Sequence, residues 1–341
     1  MFLRISKLNN VMILLGLGLI IVIASAKFVP ANAQQALPPR LSREAIPYLS
    51  RQQDQTTGTA QTIQSVETLP WSKVAFQSYR DGNWNIYIGN DDGSGQTRLT
   101  NSGATEIQPH LNRGNTQIVF ARKDGDYEII KMNADGSGQI ALTANNADDG
   151  NPAWSPDGTK IVFESYRDGQ AEIYVMNANG TGQTRLTTHG DFDGMPAWSP
   201  DGTKIAFVSR RTGGYRIWVM NADGSNQMQI STQPYSLRPQ WSPDGTQIAF
   251  DADSDGDGWQ DLWRMNADGS NQLEVFDPGG DQDVWTGSWS PDGRYISFTK
   301  IFFVQYQGSW YWNDAYLDAW DSVSFNTIRL SQNGRDWTPR W

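Results

Sequence analysis

The sequence predicts an all-β protein, a six-bladed β-propeller of four-stranded antiparallel blades whose ring is closed by the C-terminal strand completing blade one. Three observations predict it. A unit recurs six times at spacings of 43 to 48 residues, each unit holds four strand-like segments separated by tight turns, and the two ends of the repeat region are complementary fragments of one unit.

The repeat is plainest in three successive strings, "NPAWSPDGTKIVFESYRDGQAEIYVMNANGTGQTRLT", "MPAWSPDGTKIAFVSRRTGGYRIWVMNADGSNQMQI" and "RPQWSPDGTQIAFDADSDGDGWQDLWRMNADGSNQLEV". Their common phenylalanines are Phe163, Phe207 and Phe250; weaker copies place equivalents at Phe76, Phe120 and Phe298. Within a unit, Pro152-Ala153-Trp154 reads as a short first strand. Ser-Pro-Asp-Gly follows, with proline's fixed φ suited to the second position of a turn and glycine supplying a positive φ at its end. "TKIVFES" and "AEIYVMN" alternate apolar and other side chains with period two and read as the second and third strands. A turn of the Asn-Ala-Asp-Gly-Ser kind then leads into the fourth.

A four-stranded sheet on such a repeat buries both faces only when neighbours cover them, and radial packing around a central channel achieves this while leaving only short edges. Trp154, Trp198, Trp241 and Trp289 recur nine residues before the common phenylalanine and are expected to fill the interfaces between blades. Blade one lacks its own first strand, since Glu67 stands nine residues before Phe76 and no Ser-Pro-Asp-Gly turn intervenes. The chain finishes on "DWTPRW", where Pro339-Arg340-Trp341 matches Pro152-Ala153-Trp154. A strand missing at one end and surplus at the other is the signature of a ring. Because strands alternate in direction, the uniform Ser-Pro-Asp-Gly and Asn-Ala-Asp-Gly turns belong to one side of the disc. The variable second-to-third strand loops and the blade connections belong to the other, which is the expected recognition face.

With these residues in view, "PAWSPDGTKIVF...EIYVMNANGTGQTRLT" resembles the repeat of the TolB-like, WD-type propellers, over about residues 69–341 and most closely in the three central copies. Blade two departs, with Leu111 at the tryptophan position and Asn112-Arg113-Gly114-Asn115 in place of Ser-Pro-Asp-Gly. The resemblance implies a six-bladed periplasmic propeller serving as an adaptor for envelope proteins of the Tol-Pal system. TolB-type proteins also carry an α/β domain ahead of the propeller, for which residues 34–68 are too few.

The N-terminus carries Arg4 and Lys7, then an apolar run over residues 11–26, then Ala31-Asn32-Ala33 with the small-x-small form of a processing site. Residues 1–33 therefore read as a signal peptide and the protein as exported, to the periplasm or the extracellular space. The alternative is an uncleaved membrane anchor over residues 11–29. Residues 34–68, rich in Gln, Thr, Pro and Ser, read as a flexible linker, and 69–341 as the propeller. Formal net charge is -10, and loss of the leader makes the remainder more negative; no basic run offers a nucleic-acid surface. There is no cysteine, hence no disulfide framework or thiolate site. A monomer is expected.

The strongest local motif is "DADSDGDGWQD". Asp253, Asp255, Asp257 and Asp261 are spaced to converge on a hard cation, with a backbone carbonyl near Trp259, and calcium suits an oxygen-only set. Arg264 occupies the position where an EF-hand needs glutamate, so the expectation is a structural Ca2+ in a loop between strands; an acidic solvated turn is the alternative. Blade six departs most, with Phe302, Phe303, Tyr306, Trp310, Tyr311 and Trp312 in an extended hairpin open to three readings: protein contact, glycan contact or local packing. For catalysis the inventory is thin. His110 and His189 are the only histidines and lie in different blades, and no nucleophile elbow or zinc motif is present. Acid pairs Asp148/Asp149, Asp191/Asp193 and Asp281/Asp283 fall at the blade connections. A non-enzymatic scaffold binding envelope or extracellular proteins is therefore expected. A propeller hydrolase or lyase, or a glycan-binding module, is the competing reading.

Overall fold

The computed structural model describes residues 73–90, 93–280, 282–306, 309–330 and 336–340, together with the backbone of 11–13 and 22–24; the side chains of 304–306, 309–313 and 337–340 lie outside the description. The expected leader and linker lie outside the described residues except for two three-residue strands, Val11–Ile13 and Val22–Ala24, paired antiparallel. Among the described residues no helix is long and apolar enough to cross a membrane.

Residues from 73 onward form six four-stranded antiparallel sheets. Blade three is representative: Asp149–Trp154, Lys160–Ser165, Glu172–Asn177 and Thr184–Arg185 lie side by side in chain order. Blade one is completed from the far end of the chain, because Asp336–Arg340 pairs with Val74–Ser78. The first strands of successive blades touch one another, and Asp336–Arg340 touches those of both blade six and blade two, so the ring is closed. Trp341 lies outside the described residues.

The first strands are longer than expected and begin at Thr105, Asp149, Asp193, Leu237 and Gln282. The cause is a bulge. Pairing shifts between Gly150 and Ala153, and at equivalent points in the other blades. In blades two to five the bulge holds a residue with positive φ immediately before a proline: Gln108, Asn151, Met195 and Arg238. Proline has no N–H to give to a ladder, so the strand passes it on a bulge and resumes pairing beyond.

Among the described residues the larger hydrophobic clusters span two blades, as the tryptophan spacing predicts. Trp154, Ile161 and Phe163 of blade three pack with Val119, Ile129 and Leu142 of blade two. Trp289 and Phe298 of blade six pack with Ala249 and Leu262 of blade five. Phe76 and Tyr87 of blade one meet Leu317 of blade six, so apolar packing also crosses the closure point. Trp154→Ala is expected to lower stability by about 3–5 kcal/mol through lost transfer energy and a cavity, measurable by chemical denaturation. A loss below about 1 kcal/mol would show that this interface does not depend on the ring.

The Asn-Ala-Asp-Gly turn has a second role that its sequence does not announce. Gly224, at φ +88, lies so close to the preceding blade that a Cβ would sit 2.8 Å from the Leu186 carbonyl oxygen; at Gly269 the same construction gives 2.4 Å to that of Ile230. Glycine here permits the turn and also sets how closely blades approach.

Candidate recognition face

The pairing register places the start of every first strand beside the end of the second: Asp149 faces Ser165, and Asp193 faces Ser209. The blade connections and the second-to-third strand loops therefore share one face, as alternation of direction requires. On it, in four blades, a fully buried carboxylate stands at the first or second residue of the first strand and an arginine of the same blade neutralises it. The Arg80 Nη2–Asp336 Oδ1 distance is 2.6 Å, Arg122 Nη2–Glu106 Oε1 2.8 Å, and Arg167 Nη2–Asp149 Oδ2 2.9 Å; Arg211 pairs with Asp193. Each arginine lies over an aromatic ring, as Arg167 does over Tyr174 at 4.7 Å and Arg211 over Trp218 at 4.6 Å. Taking these carboxylates out of water costs several kcal/mol apiece, which the guanidinium offsets.

The acid pairs at the connections thus separate into different roles. Asp149 and Asp193 are structural anchors. Asp148 accepts a hydrogen bond from the Tyr127 backbone N–H at 2.9 Å, tying blade three to blade two. Asp191 is exposed beside His189, with 3.9 Å between Oδ2 and Nδ1. Asp281 lies outside the described residues. His110 sits between blades, its Nδ1 accepting from the Trp154 N–H at 3.4 Å.

A second set of polar residues escapes sequence reasoning. The residue after the common phenylalanine is Gln77, Glu164 or Asp251 in alternate blades, and all three are buried. Each accepts from the backbone N–H of a bulge residue in the next first strand: Gln77 Oε1 from Gln108 at 2.7 Å, Glu164 Oε2 from Met195 at 2.9 Å, and Asp251 Oδ1 from Thr286 at 3.1 Å. Gln108 Oε1 carries the pattern on by accepting from Asn151 N–H at 2.8 Å. A polar residue in a strand covered on both faces was the available signal. Burial pushes the Glu164 and Asp251 carboxyls upward, in Asp251 against the pull of Arg238.

Blades five and six break the anchor pattern. Arg238, at the blade-five bulge, pairs with Asp251 and lies over the Trp285 ring at 4.1 Å. Asp283 accepts from Gln260 N–H at 2.8 Å and from Trp285 Nε1 at 2.9 Å, and burial pushes its pKa up to about 7. A carboxyl raised in the folded state holds a proton that the unfolded chain has released. In the window between about pH 4 and 7 stability therefore falls as pH rises, and the full penalty is present above it. For partly exposed Asp283 this is worth on the order of 2 kcal/mol. Denaturation of the chelated protein at pH 5 and pH 8 should show the loss, and Asp283→Asn should flatten the slope; an unchanged slope would assign the titration elsewhere.

The predicted metal ligands are partly gathered. Asp253, Asp255 and Asp257 each offer an oxygen within 4.8 Å of the others, while Asp261 stands outside that triad at the start of the third strand. The blade-six hairpin is longer than its counterparts, with strands Tyr295–Tyr306 and Ser309–Asp321. Phe302 is half-buried and meets Tyr316 edge-on at 5.9 Å. The side chains of Tyr306, Trp310, Tyr311 and Trp312 lie outside the described residues. On blade two, a depression of about 430 Å³ is lined by Asp124, Asp126, Glu128, Gln139 and Asn145 among others.

Six four-stranded blades closed by the C-terminal strand define a six-bladed β-propeller. The family model described as the TolB beta propeller domain matches residues 112–282 and 191–307, together more than half of the sequence, and the chain belongs to that family. No curated protein sequence matches it significantly. Among solved structures, TolB from Acinetobacter baumannii is similar at 18% identity with a TM-score of 0.66, covering 79% of this chain; this chain spans 66% of that protein's length. An oligogalacturonate lyase from Vibrio parahaemolyticus gives 16% identity and a TM-score of 0.54, covering 76% of this chain and 74% of its own. A chain of a nidogen/laminin complex gives 9% and 0.60, covering 79% of this chain and 97% of its own. At these identities the likeness is one of fold.

Proposed function

We propose that this propeller is an exported, non-catalytic scaffold that holds a basic segment of an envelope or extracellular protein on its variable-loop face. One observation carries the reading. The buried carboxylates near the start of four first strands are neutralised within their own blades, whereas among the described residues no ion pair reaches Asp124, Asp126 or Glu128. The unanswered negative charge lines the blade-two depression, where it steers and orients a positively charged partner. The placement of His110 and His189 in different parts of the ring supports the non-catalytic half, since the two histidines do not form one acid–base centre. Export rests on the leader over residues 1–33.

The test is capture from envelope extract by three immobilised proteins: the unaltered chain, Asp124→Lys with Asp126→Lys, and Lys160→Glu with Lys204→Glu on the opposite face. The unaltered chain and the opposite-face variant should retain the same protein, with retention falling as salt rises. The blade-two variant should lose it by at least about tenfold, as expected when complementary charge is reversed. Equal retention by all three would place binding elsewhere. Turnover of a glycan or lactone by the purified chain, abolished by a substitution on this face, would overturn the non-catalytic half.

A further inference from the structure

The blade-five loop joins Gln247–Ala252 to Asp261–Asn266. Gly256 at φ +78 and Gly258 at φ +96 fold it, bringing Asp253, Asp255 and Asp257 together at the first, third and fifth places of a loop whose sixth is glycine. Calcium loops of this spacing use a carbonyl at the seventh place and a ligand, often through water, at the ninth; here these are Trp259 and Asp261.

Asp261 is the independent sign of a ligand. It is only 7% exposed, and among the described residues no hydrogen bond reaches its carboxylate. Its charged neighbours are Asp277, Glu274, Asp255 and Asp257, all of its own sign. The other blades show what is missing. Glu172 of blade three holds the same place, opposite the last residue of the second strand, and there Arg185 on the fourth strand answers it at 2.5 Å. In blade one Asn85 receives Arg98 at 2.9 Å. The register that sets Tyr174 opposite Arg185 sets Trp263 opposite Glu274, so in blade five the answering cation has become an acid. Phe276 faces Leu262, which brings Asp277 alongside Asp261. Like charges so placed in adjacent strands repel.

We propose that a calcium ion replaces this missing arginine. It is held by Asp253, Asp255 and Asp257, joined by Asp261, and shared with Glu274 and Asp277 across the edge strand. The ion fastens the variable loop to the fourth strand and to the chain leaving for blade six. Calcium is preferred over magnesium because the set is all oxygen, flexible and larger than an octahedron of short bonds permits. The proposal is independent of the partner reading, whose test lies on blade two.

The experiment uses the full chain, stripped with chelator. Calorimetric titration with calcium should give saturable heat with a dissociation constant of about 10⁻⁴–10⁻³ M, the range of extracellular modules. Terbium should luminesce on indole excitation through Trp259 and be displaced by calcium, and Trp259→Phe should lose the luminescence while keeping the calcium heat. Asp255→Asn should weaken binding at least tenfold. Glu274→Arg is the decisive variant: by restoring the arrangement of blade three it should abolish calcium binding and raise the melting temperature of the metal-free protein. Absence of heat and of any thermal shift at millimolar calcium in the unaltered chain would overturn the site. Undiminished calcium binding by Glu274→Arg would overturn the shared ion.

Discussion

A chain ending before residue 336 is expected to lose its single cooperative unfolding transition. Asp336–Arg340 is the innermost strand of blade one and contacts the first strands of both neighbouring blades. Deleting it uncovers the pairing edge of Val74–Ser78 and removes the strand that touches the first strands of blades six and two, so the contact that closes the ring is lost. The deletion also removes Asp336, whose buried carboxylate accepts from Ser78 Oγ at 2.8 Å and pairs with Arg80. Breaking one such pair alone costs about 3–5 kcal/mol, a large part of the roughly 5–15 kcal/mol that stabilises an ordinary domain. Thermal denaturation followed by circular dichroism and by tryptophan fluorescence should give transitions that no longer coincide. A truncated chain with the same melting temperature and coincident transitions would mean that the ring is held shut by other contacts.

Arg211→Met should cost about 3–5 kcal/mol, more than an exposed ion pair could explain. Arg211 neutralises a fully buried Asp193, donates to Gln227 Oε1 at 2.6 Å and to Ser209 Oγ at 2.8 Å, and covers the Trp218 ring. Methionine keeps much of the apolar contact and removes the charge, leaving a carboxylate that burial already pushes toward protonation. Adding Asp193→Asn removes that uncompensated charge, so the double variant should be more stable than Arg211→Met alone. The recovery, read from urea denaturation as a double-mutant cycle, measures the coupling. Strictly additive losses would mean that the arginine acts through packing alone.

Much of the fold was legible because it repeats. Period-two strands, Ser-Pro-Asp-Gly turns and a tryptophan nine residues before four of the six common phenylalanines are local signals, and the copies reinforce one another. The complementary ends, Glu67 where a tryptophan belongs and Pro339-Arg340-Trp341 left over, gave the closure. The candidate site was only half legible. Alternate aspartates at 253, 255 and 257 announce themselves, but Glu274 and Asp277 lie beyond an intervening strand, and no spacing connects them to Asp261. The arginine anchors were hidden similarly, since Asp149 and Arg167, or Asp336 and Arg80, meet only through sheet register and ring closure.

By itself the sequence determined the blade count, the strand order, the sidedness of the loops and the closing strand, because these follow from periodicity and chain direction. Only the tertiary structure decided which carboxylates are answered by a cation and which are not. Charge compensation depends on distance and burial across strands and blades, and a linear spacing carries neither. The C-terminal strand shows both parts: its sequence marks it as the missing piece of blade one, while the fold makes its Asp336 a buried anchor for an arginine at the opposite end of the propeller's chain.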